Sequence, residues 1–274
     1  MNILFIFNEY SLHNGIIETF LAARPHDTVS LVKVKLTLKG KSRFETAGKI
    51  LPQLSRRFLT GKILEAFVLL AVTFIPKLYH RGAIFRRLRQ IAKKHQLPFH
   101  TTSNVLSAET IAFIRHQKPD LIITLVHQII KEPLISLPRL GIINIHPGLL
   151  PQFKGIQPYF WELSEGSPEA GPTLHLIEDA GIDTGRILAQ KSYPTAGVRS
   201  VHLNYYLTAR AAAAILPATV QGLADGTLTP TPQAPLTGNY YKWPDSAAYD
   251  RLSQSGRRLF SFRDLFAILT GKHD

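Results

Sequence analysis

The chain has 274 residues, of which 45% are hydrophobic and 19% charged, and its mean hydropathy is +0.03. This composition is too apolar for a disordered chain, and the length suits one large domain or a catalytic domain with appendages. The absence of cysteine excludes disulfides, thiolate metal sites and a cysteine nucleophile. The longest apolar run, residues 66–76, is too short to cross a bilayer, and the N-terminus lacks a secretory signal pattern, so we expect a cytoplasmic protein.

The net charge of +13 is concentrated in one part of the chain. Residues 33–94 contain 16 Lys or Arg and two acids, whereas the rest of the chain is nearly neutral. Because apolar and basic residues interleave here, we expect residues 54–94 to form helices. These helices would bind the anionic surface of the membrane at its inner face, or mediate self-association. A buried helix with a basic outer face is the alternative, and nucleic acid is the least expected partner.

The elements follow in the order of an α/β fold. Apolar runs and alternation predict strands at residues 2–7, 29–34, 98–101, 119–126, 141–145, 173–178 and 186–193. Helical spacing and caps predict helices at 16–23, much of 51–94, 108–116 behind Ser107, a short segment between the fourth and fifth strands, 158–165, 201–224 and about 257–270.

This order predicts an open, mostly parallel, Rossmann-like α/β sheet with helices on both faces. We expect a catalytic domain over residues 1–225, with a basic helical insertion at about 40–95. A short C-terminal extension, residues 226–274, follows it.

Several familiar motifs are missing. Gly40-Lys41-Ser42 resembles the end of a phosphate-binding loop, but Lys35 stands where the first glycine is required. No GxGxxG follows the first strand, and neither HExxH nor GxSxG occurs. The sequence therefore predicts no metal site, and it does not favour a dinucleotide-binding protein or a serine hydrolase.

The stretch NIHPGLLPQFKGIQP, residues 144–158, begins at the carboxyl end of a predicted parallel strand, where open α/β sheets place their sites. Asn144 and His146 are two residues apart on an extended chain, so their side chains point the same way. An amide and an imidazole on one face can stabilise a developing oxyanion. The alternative is that both merely hydrogen-bond the turn.

A second stretch, EDAGIDTGRILAQ, contains Asp183 between Gly181 and Gly185, which predicts a tight loop. Asp183 could orient His146 and raise its pKa by opposite charge. An ordinary hairpin turn with a local aspartate hydrogen bond is the alternative.

Together these stretches resemble the catalytic core of the folate-dependent formyltransferases, a family that includes glycinamide ribonucleotide, methionyl-tRNA and amino-sugar formyltransferases. The family's Asn-x-His, Leu-Leu-Pro and Asp-x-Gly pattern falls on Asn144, His146, residues 149–151 and residues 183–185. The similarity extends over about residues 119–194.

The resemblance implies an enzyme that transfers the formyl group of 10-formyltetrahydrofolate to an amine. It implies that Asn144 and protonated His146 stabilise the oxyanion, while Asp183 keeps His146 charged and helps to move a proton from the amine. It places the folate against the loop at Gln128, Ile129 and Ile130 and against the aspartate loop, here Asp179 and Gly181.

Departures from the family bear on the acceptor. Gly148 stands where the family usually has Ser, which leaves the three catalytic residue types intact. The N-terminal NEYSLHNG does not match the phosphate loop of the purine enzyme, and only about 50 residues follow residue 224, too few for the C-terminal barrel of the tRNA enzyme. A nucleotide-linked amino sugar is therefore the expected acceptor.

Three other functions stay open. One is transfer to methionyl-tRNA or another amine, and a second is hydrolysis of the formyl-folate by the same three residues. The third is a non-catalytic basic binding protein on this scaffold.

Overall fold

A computed structural model of the protein describes residues 1–8, 11–35, 87–234 and 239–270, together with residues 45, 48, 56, 59–61, 63, 64 and 67. Most of the basic segment lies outside these residues. The helices predicted over 51–94, and the membrane or self-association surface predicted over 54–94, therefore stay predictions, apart from one helix at the end of that range.

We number the elements of the described residues in chain order. The strands are β1 (Asn2–Asn8), β2 (Thr28–Val34), β3 (Phe99–Thr102), β4 (Leu121–Leu125), β5 (Ile142–His146), β6 (Phe153–Gly155), β7 (Glu169–Ala170), β8 (Thr173–Ile177), β9 (Ile187–Gln190), β10 (Tyr193–Pro194) and β11 (Asn239–Tyr241). The helices are α1 (Ser11–Ala23), α2 (Leu88–Lys94), α3 (Ala108–Gln117), α4 (Pro158–Ser164), α5 (Val201–Ala224), α6 (Ser246–Gln254) and α7 (Phe262–Thr270).

The main sheet of the described residues has seven strands in the order β3-β2-β1-β4-β5-β8-β9. The first five run parallel, and β8 is antiparallel to both of its neighbours. The predicted open, mostly parallel α/β sheet is confirmed. The chain order reverses at β1, and open α/β sheets place their ligand sites beyond the carboxyl ends of the strands at such a reversal.

Alternating residues of β1 supply two cores, one on each face of the sheet. Ile3, Phe5 and Phe7 are buried on the face covered by α1 and α5, whereas Leu4 and Ile6 are buried on the face covered by α3. A strand buried on both faces reads as a continuous apolar run. This is why residues 2–7 predict an inner strand.

Some boundaries differ from the expectations. Residues 132–140, between β4 and β5, form turns instead of the predicted short helix. The C-terminal part contains α6, which the sequence did not predict, and its last helix begins at Phe262 and not near residue 257. Asp245 caps α6 by accepting a hydrogen bond from the Ala248 N–H. A capping aspartate of this kind is the sequence signal for the missed helix.

The C-terminal segment packs on the catalytic core. Tyr249 and Leu252 of α6 are buried in a third apolar cluster with Phe160 and Trp161 of α4. In addition, β11 pairs in parallel with β6. The predicted boundary at residue 225 stays a prediction, but residues on both sides of it share this core. In the parts of the chain that are described, no helix has the length and apolar character needed to cross a bilayer.

Candidate active site

Three polar side chains form a row across three neighbouring strands of the sheet. Thr124 of β4 is the register partner of Asn144 on β5, and Asn144 is the partner of His175 on β8. The Thr124 hydroxyl donates to Asn144 Oδ1 at 3.0 Å, so the Asn144 amide nitrogen faces His175 and donates to its Nε2 at 3.0 Å. His175 Nδ1 in turn donates to the Leu176 carbonyl. The amide of Asn144 is therefore held in one orientation.

His146 ends β5 and is only 3% exposed. Its Nδ1 lies 3.3 Å from Asp183 Oδ1, and its Nε2 donates to the Phe153 carbonyl at 2.7 Å. Burial by itself lowers the pKa of His146, but the charge of Asp183, its hydrogen bond and the Phe153 carbonyl together raise that pKa above its ordinary value. An acceptor at each ring nitrogen favours the doubly protonated, charged form of the imidazole.

Asp183 lies in the loop between β8 and β9 with a backbone φ of +54°, in the left-handed region that aspartate adopts more readily than most other non-glycine residues. Its Oδ2 accepts a hydrogen bond from the Gly155 N–H at 2.8 Å. Burial alone would raise the pKa of the Asp183 carboxyl, but the charge and hydrogen bond of His146 hold it well below its usual range. The carboxylate stays charged.

The aspartate loop is fixed by close backbone contacts. A Cβ on Gly185 would lie 1.8 Å from the Leu176 carbonyl oxygen, so only glycine fits there. The Gln233 side chain donates to the carbonyls of Asp183 and Gly185, at 3.0 and 2.7 Å. Asp179 accepts a hydrogen bond from the Gly181 N–H, which closes a short turn at the start of the loop.

The structure brings together all three residues predicted to be catalytic. His146 contacts Asp183 directly, and Asn144 joins them through His175, whose Nε2 is 3.6 Å from Asp183 Oδ1. Within the described residues, no group of three or more His, Asp or Glu side chains is arranged to hold a metal ion.

The residues predicted to bind folate occupy the loop after β4 and the aspartate loop after β8. After β4, the Gln128 side chain accepts from the Val105 N–H and donates to the Ser103 carbonyl, so it braces the loop. Ile130 is buried, whereas Ile129 is 48% exposed. Asp179 and Gly181 lie in the exposed turn of the aspartate loop.

Sequence reasoning missed three polar residues of the site. His175 and Thr124 each interrupt an apolar strand, and a polar residue within such a run is a signal that could have identified them. Gln233 lies in a loop with no pattern of its own. Its hydrogen bonds to the aspartate loop depend only on the tertiary fold.

The site is thus a buried imidazole–carboxylate pair beside an oriented amide, at the end of a doubly wound α/β sheet. A family model described as "Formyl transferase" matches residues 64–220, which is more than half of the chain. The protein belongs to the formyl transferase family.

Similar proteins include a curated methionyl-tRNA formyltransferase of Trichlorobacter lovleyi, 33% identical over 147 residues. That match covers 53% of this chain and 46% of the relative, so the chain spans about half the length of the curated relatives it matches.

Among solved structures, a sugar N-formyltransferase from Shewanella sp. aligns with a TM-score of 0.57 at 17% identity, covering 93% of this chain and 88% of that one. An N-formyltransferase from Helicobacter canadensis, solved with folinic acid and dTDP-3-aminofucose, aligns with a TM-score of 0.58 at 15% identity. Its alignment covers 95% of this chain and 85% of the other. At these identities the alignments establish a shared fold.

Proposed function

We propose that the protein transfers a formyl group from 10-formyltetrahydrofolate to a primary amine. The observation that carries this proposal is the buried contact between His146 and Asp183 beside the oriented amide of Asn144. Formyl transfer places negative charge on the formyl oxygen, and this arrangement supplies a cation and an amide donor for it.

Each of the three residues has a role that follows from its surroundings. Asn144 has one amide hydrogen bonded to His175, and its other has no partner among the described residues, which leaves it for the oxyanion. His146 supplies the positive charge, because its pKa is raised in the folded protein. Asp183 keeps that charge in place. The proton transfer that the family resemblance gives to Asp183 is part of the same hypothesis.

The two loops that flank the site fit a flat, partly apolar group such as the pteridine of a folate. Ile129 and Ile182, one in each loop, are 48% and 40% exposed although both are large aliphatic residues. Apolar side chains together with a few polar groups are the usual lining of a ligand site. The side chains of Gln128 and Ile130 hold the loop, so we assign their contacts with folate to the backbone. The folate supplies the activated formyl carbon.

For the acceptor, we propose a nucleotide-linked amino sugar. The motivation is the Helicobacter canadensis enzyme, which aligns over 95% of this chain and was solved with dTDP-3-aminofucose. Curated relatives include methionyl-tRNA formyltransferases, so methionyl-tRNA is the second candidate acceptor.

The test is incubation of the protein with 10-formyltetrahydrofolate and, separately, dTDP-3-aminofucose, methionyl-tRNA and glycinamide ribonucleotide. Mass spectrometry would follow the replacement of one amine hydrogen by a formyl group. We expect formylation of the amino sugar, and its loss in the His146→Ala variant. Release of formate without any formylated amine would instead identify a hydrolase.

A non-catalytic binding protein would formylate none of these amines and would release no formate.

Membrane association and self-association were predicted from residues 54–94, most of which are outside the described part of the chain. They remain expectations, to be tested by sedimentation with anionic vesicles and by measurement of the molar mass in solution.

A further inference from the structure

The loop that carries Asp183 has little backbone structure of its own. Residues 179–185 are mostly exposed, and within the described part of the chain none of their backbone groups bonds to another backbone group. Loops of this kind move more than the strands beside them. Yet Asp183 Oδ1 meets His146 Nδ1 at 3.3 Å, a contact on which the proposed chemistry depends. Side chains must therefore restrain the loop.

The Gln233 side chain supplies such a restraint. Its amide nitrogen donates to the Asp183 carbonyl at 3.0 Å and to the Gly185 carbonyl at 2.7 Å, so it bridges the two residues on either side of Thr184. Among the described residues, no other group donates to either carbonyl. The amide thus fixes the backbone of the residue that contacts His146.

Gln233 reaches the loop because the chain beside it pairs with β9. Thr231 and Ile187, the first residue of β9, exchange two backbone hydrogen bonds of 2.8 Å in an antiparallel bridge. In antiparallel pairing, the residue two positions after Thr231 lies opposite the residue two positions before Ile187, which is Gly185. Gln233 lies beyond residue 220, where the match to the family model ends. The C-terminal part of the chain therefore contributes a side chain to the site.

The orientation of the Gln233 amide follows from its contacts. The reverse orientation would turn Oε1 toward two carbonyl oxygens, so the nitrogen must face the loop. Oε1 is left buried, with no hydrogen-bond partner among the described residues. A buried oxygen without a partner costs stability, and side chains that serve only the fold usually have both ends satisfied. Gln233 is thus better suited to holding the loop than to stabilising the fold.

The amide also suits the charges of the site. Gln233 is neutral and bonds to backbone carbonyls, so it leaves the Asp183 carboxylate to its own partners. Those partners are His146 at Oδ1 and the Gly155 N–H at Oδ2. A Lys or Arg at this position would compete with His146 for the carboxylate, whereas a glutamine does not.

We propose that Gln233 is a positioning residue for the formyl transfer, which holds the backbone of the aspartate loop so that the Asp183 carboxylate meets His146. This inference rests on the proposed function. Gln233 touches neither the donor nor the acceptor in this role, and it acts through Asp183.

The test compares Gln233→Met with the wild type, because methionine has a similar length but no donor. Single-turnover formylation would use whichever of dTDP-3-aminofucose, methionyl-tRNA or glycinamide ribonucleotide the wild type formylates fastest. We expect the rate to fall about 10–100-fold, since a displacement on the order of 1 Å can cost about 100-fold. The matched control is Gln221→Met, on an exposed residue of α5 whose amide bonds to Asp225, and it should keep the wild-type rate.

Proton NMR titration of His146 separates positioning from a purely structural role and needs no acceptor. The resonances missing from His146→Ala identify its imidazole. The pKa of His146 should be lower in Gln233→Met than in the wild type, because the imidazole stays buried while Asp183 moves away. If Gln233→Met does not fold, Gln233→Asn keeps an amide that is too short to reach both carbonyls, and it should shift both readouts in the same direction.

Two results would overturn the proposal. One is a folded variant in which the pKa of His146 is unchanged, even if its free energy of unfolding is lower, because Gln233 would then serve only the fold. The other is a wild-type rate of formylation in that variant. If the wild type formylates none of the three amines, it is the proposed function that fails, and the titration still decides whether Gln233 holds Asp183 in place.

Discussion

Asn144 owes its orientation to hydrogen bonds on both sides of its amide. Thr124 donates to its oxygen, and its nitrogen donates to His175. A donor that is already oriented loses little entropy when charge develops in front of it, which is the physical basis of oxyanion stabilisation.

We therefore predict that Asn144→Ala lowers the turnover number by about 100–1,000-fold, as is typical for loss of one oxyanion donor. Folate affinity should change far less, because the amide acts on charge that develops during the reaction. Steady-state kinetics and folate binding would be measured in parallel. Arg115→Ala, on an exposed residue in the last turn of α3, is the control. A near-normal turnover number in Asn144→Ala would contradict the role assigned to this amide.

The pair of His146 and Asp183 links the site to pH. The pKa of His146 is raised on folding, so its contribution to stability is fully present below its unfolded value of about 6.5 and is lost as pH rises through the folded pKa. The pKa of Asp183 is lowered, so its contribution is present above about 3.9 and is lost as pH falls through the folded pKa. The pair stabilises the protein most between those two unfolded values.

Asp183→Asn should accordingly lower the pKa of His146 below its ordinary value, because burial remains and the opposite charge is gone. It should also destabilise the protein more near pH 5.5 than at a pH above the folded pKa of His146. The lower of these pH values lies between the unfolded pKa values of about 3.9 and 6.5, where both groups of the pair are charged in the folded protein. Proton NMR titration and urea unfolding at several pH values check both. An unchanged pKa of His146 would mean that Asp183 does not hold its charge.

Among the elements, the short strand β6 connects the catalytic pair to the C-terminal segment. The Phe153 carbonyl and the Gly155 N–H of β6 contact His146 and Asp183, while β11 pairs with the same strand. Gly155 has a φ of +101°, and a Cβ there would lie 2.3 Å from the Tyr241 carbonyl oxygen. The site and the C-terminal segment are thus mechanically connected at this glycine.

We predict that Gly155→Ala destabilises the protein by more than about 1 kcal/mol and lowers activity, because β6 must shift away from both partners. Gly166→Ala is the matched control, since Gly166 also has a positive φ, +67°, but no atom lies within 4 Å of its added Cβ. Unfolding and activity would be measured on both variants. Equal effects would show that backbone strain alone explains the loss.

Helix α4 carries a fully buried carboxyl group, that of Glu162. It accepts hydrogen bonds from the Leu149 and Gly171 N–H groups and from the Asn204 amide, and no cation pairs with it among the described residues. Burial raises its pKa to about 8, because the hydrogen bonds only partly offset the loss of water. The ionised form therefore costs stability above the unfolded value of 4.5.

Glu162→Gln should remove this dependence. The wild type loses up to about 1.4 kcal/mol of stability per pH unit through this group as pH rises from 4.5 to about 8, and the variant should not. Chemical unfolding at a series of pH values measures the difference. Glu165→Gln, on an exposed carboxylate paired with Arg251, should leave the slope unchanged. Parallel curves for the wild type and Glu162→Gln would refute the prediction.

At the scale of the whole molecule, the described residues enclose three apolar clusters, two on the faces of the sheet and one between α4 and the C-terminal helices. The third contains Trp161, Tyr249 and Leu252, all buried. Its burial couples the stability of residues 239–270 to that of the site, because α4 follows β6, whose backbone contacts His146 and Asp183.

Leu252→Ala should therefore destabilise the whole protein by about 2–5 kcal/mol, the usual cost of a core cavity. A single cooperative transition at a lower denaturant concentration is the expected result. Ser253→Ala, on an exposed neighbour, should stay within about 0.5 kcal/mol of the wild type. Two separate transitions, with only one shifted, would show that the C-terminal segment unfolds as an independent unit.

The sequence by itself determined the class of fold and the chemical types of the site. The run at residues 2–7 and the strand before Asn144 are buried on both faces, so their composition alone predicts inner strands. Asn144 and His146 are two residues apart, and the direction of both side chains follows from the geometry of one strand. These inferences depend on local geometry, which a short segment contains in full.

Only the tertiary structure decided which groups meet. The contact of His146 with Asp183 joins a strand to a loop, and the row from Thr124 to His175 joins three different strands. Their distances depend on strand order and on register, and a register slip of one residue turns every side chain to the opposite face. The pKa values follow from the same non-local contacts, because burial and charge are properties of the folded molecule.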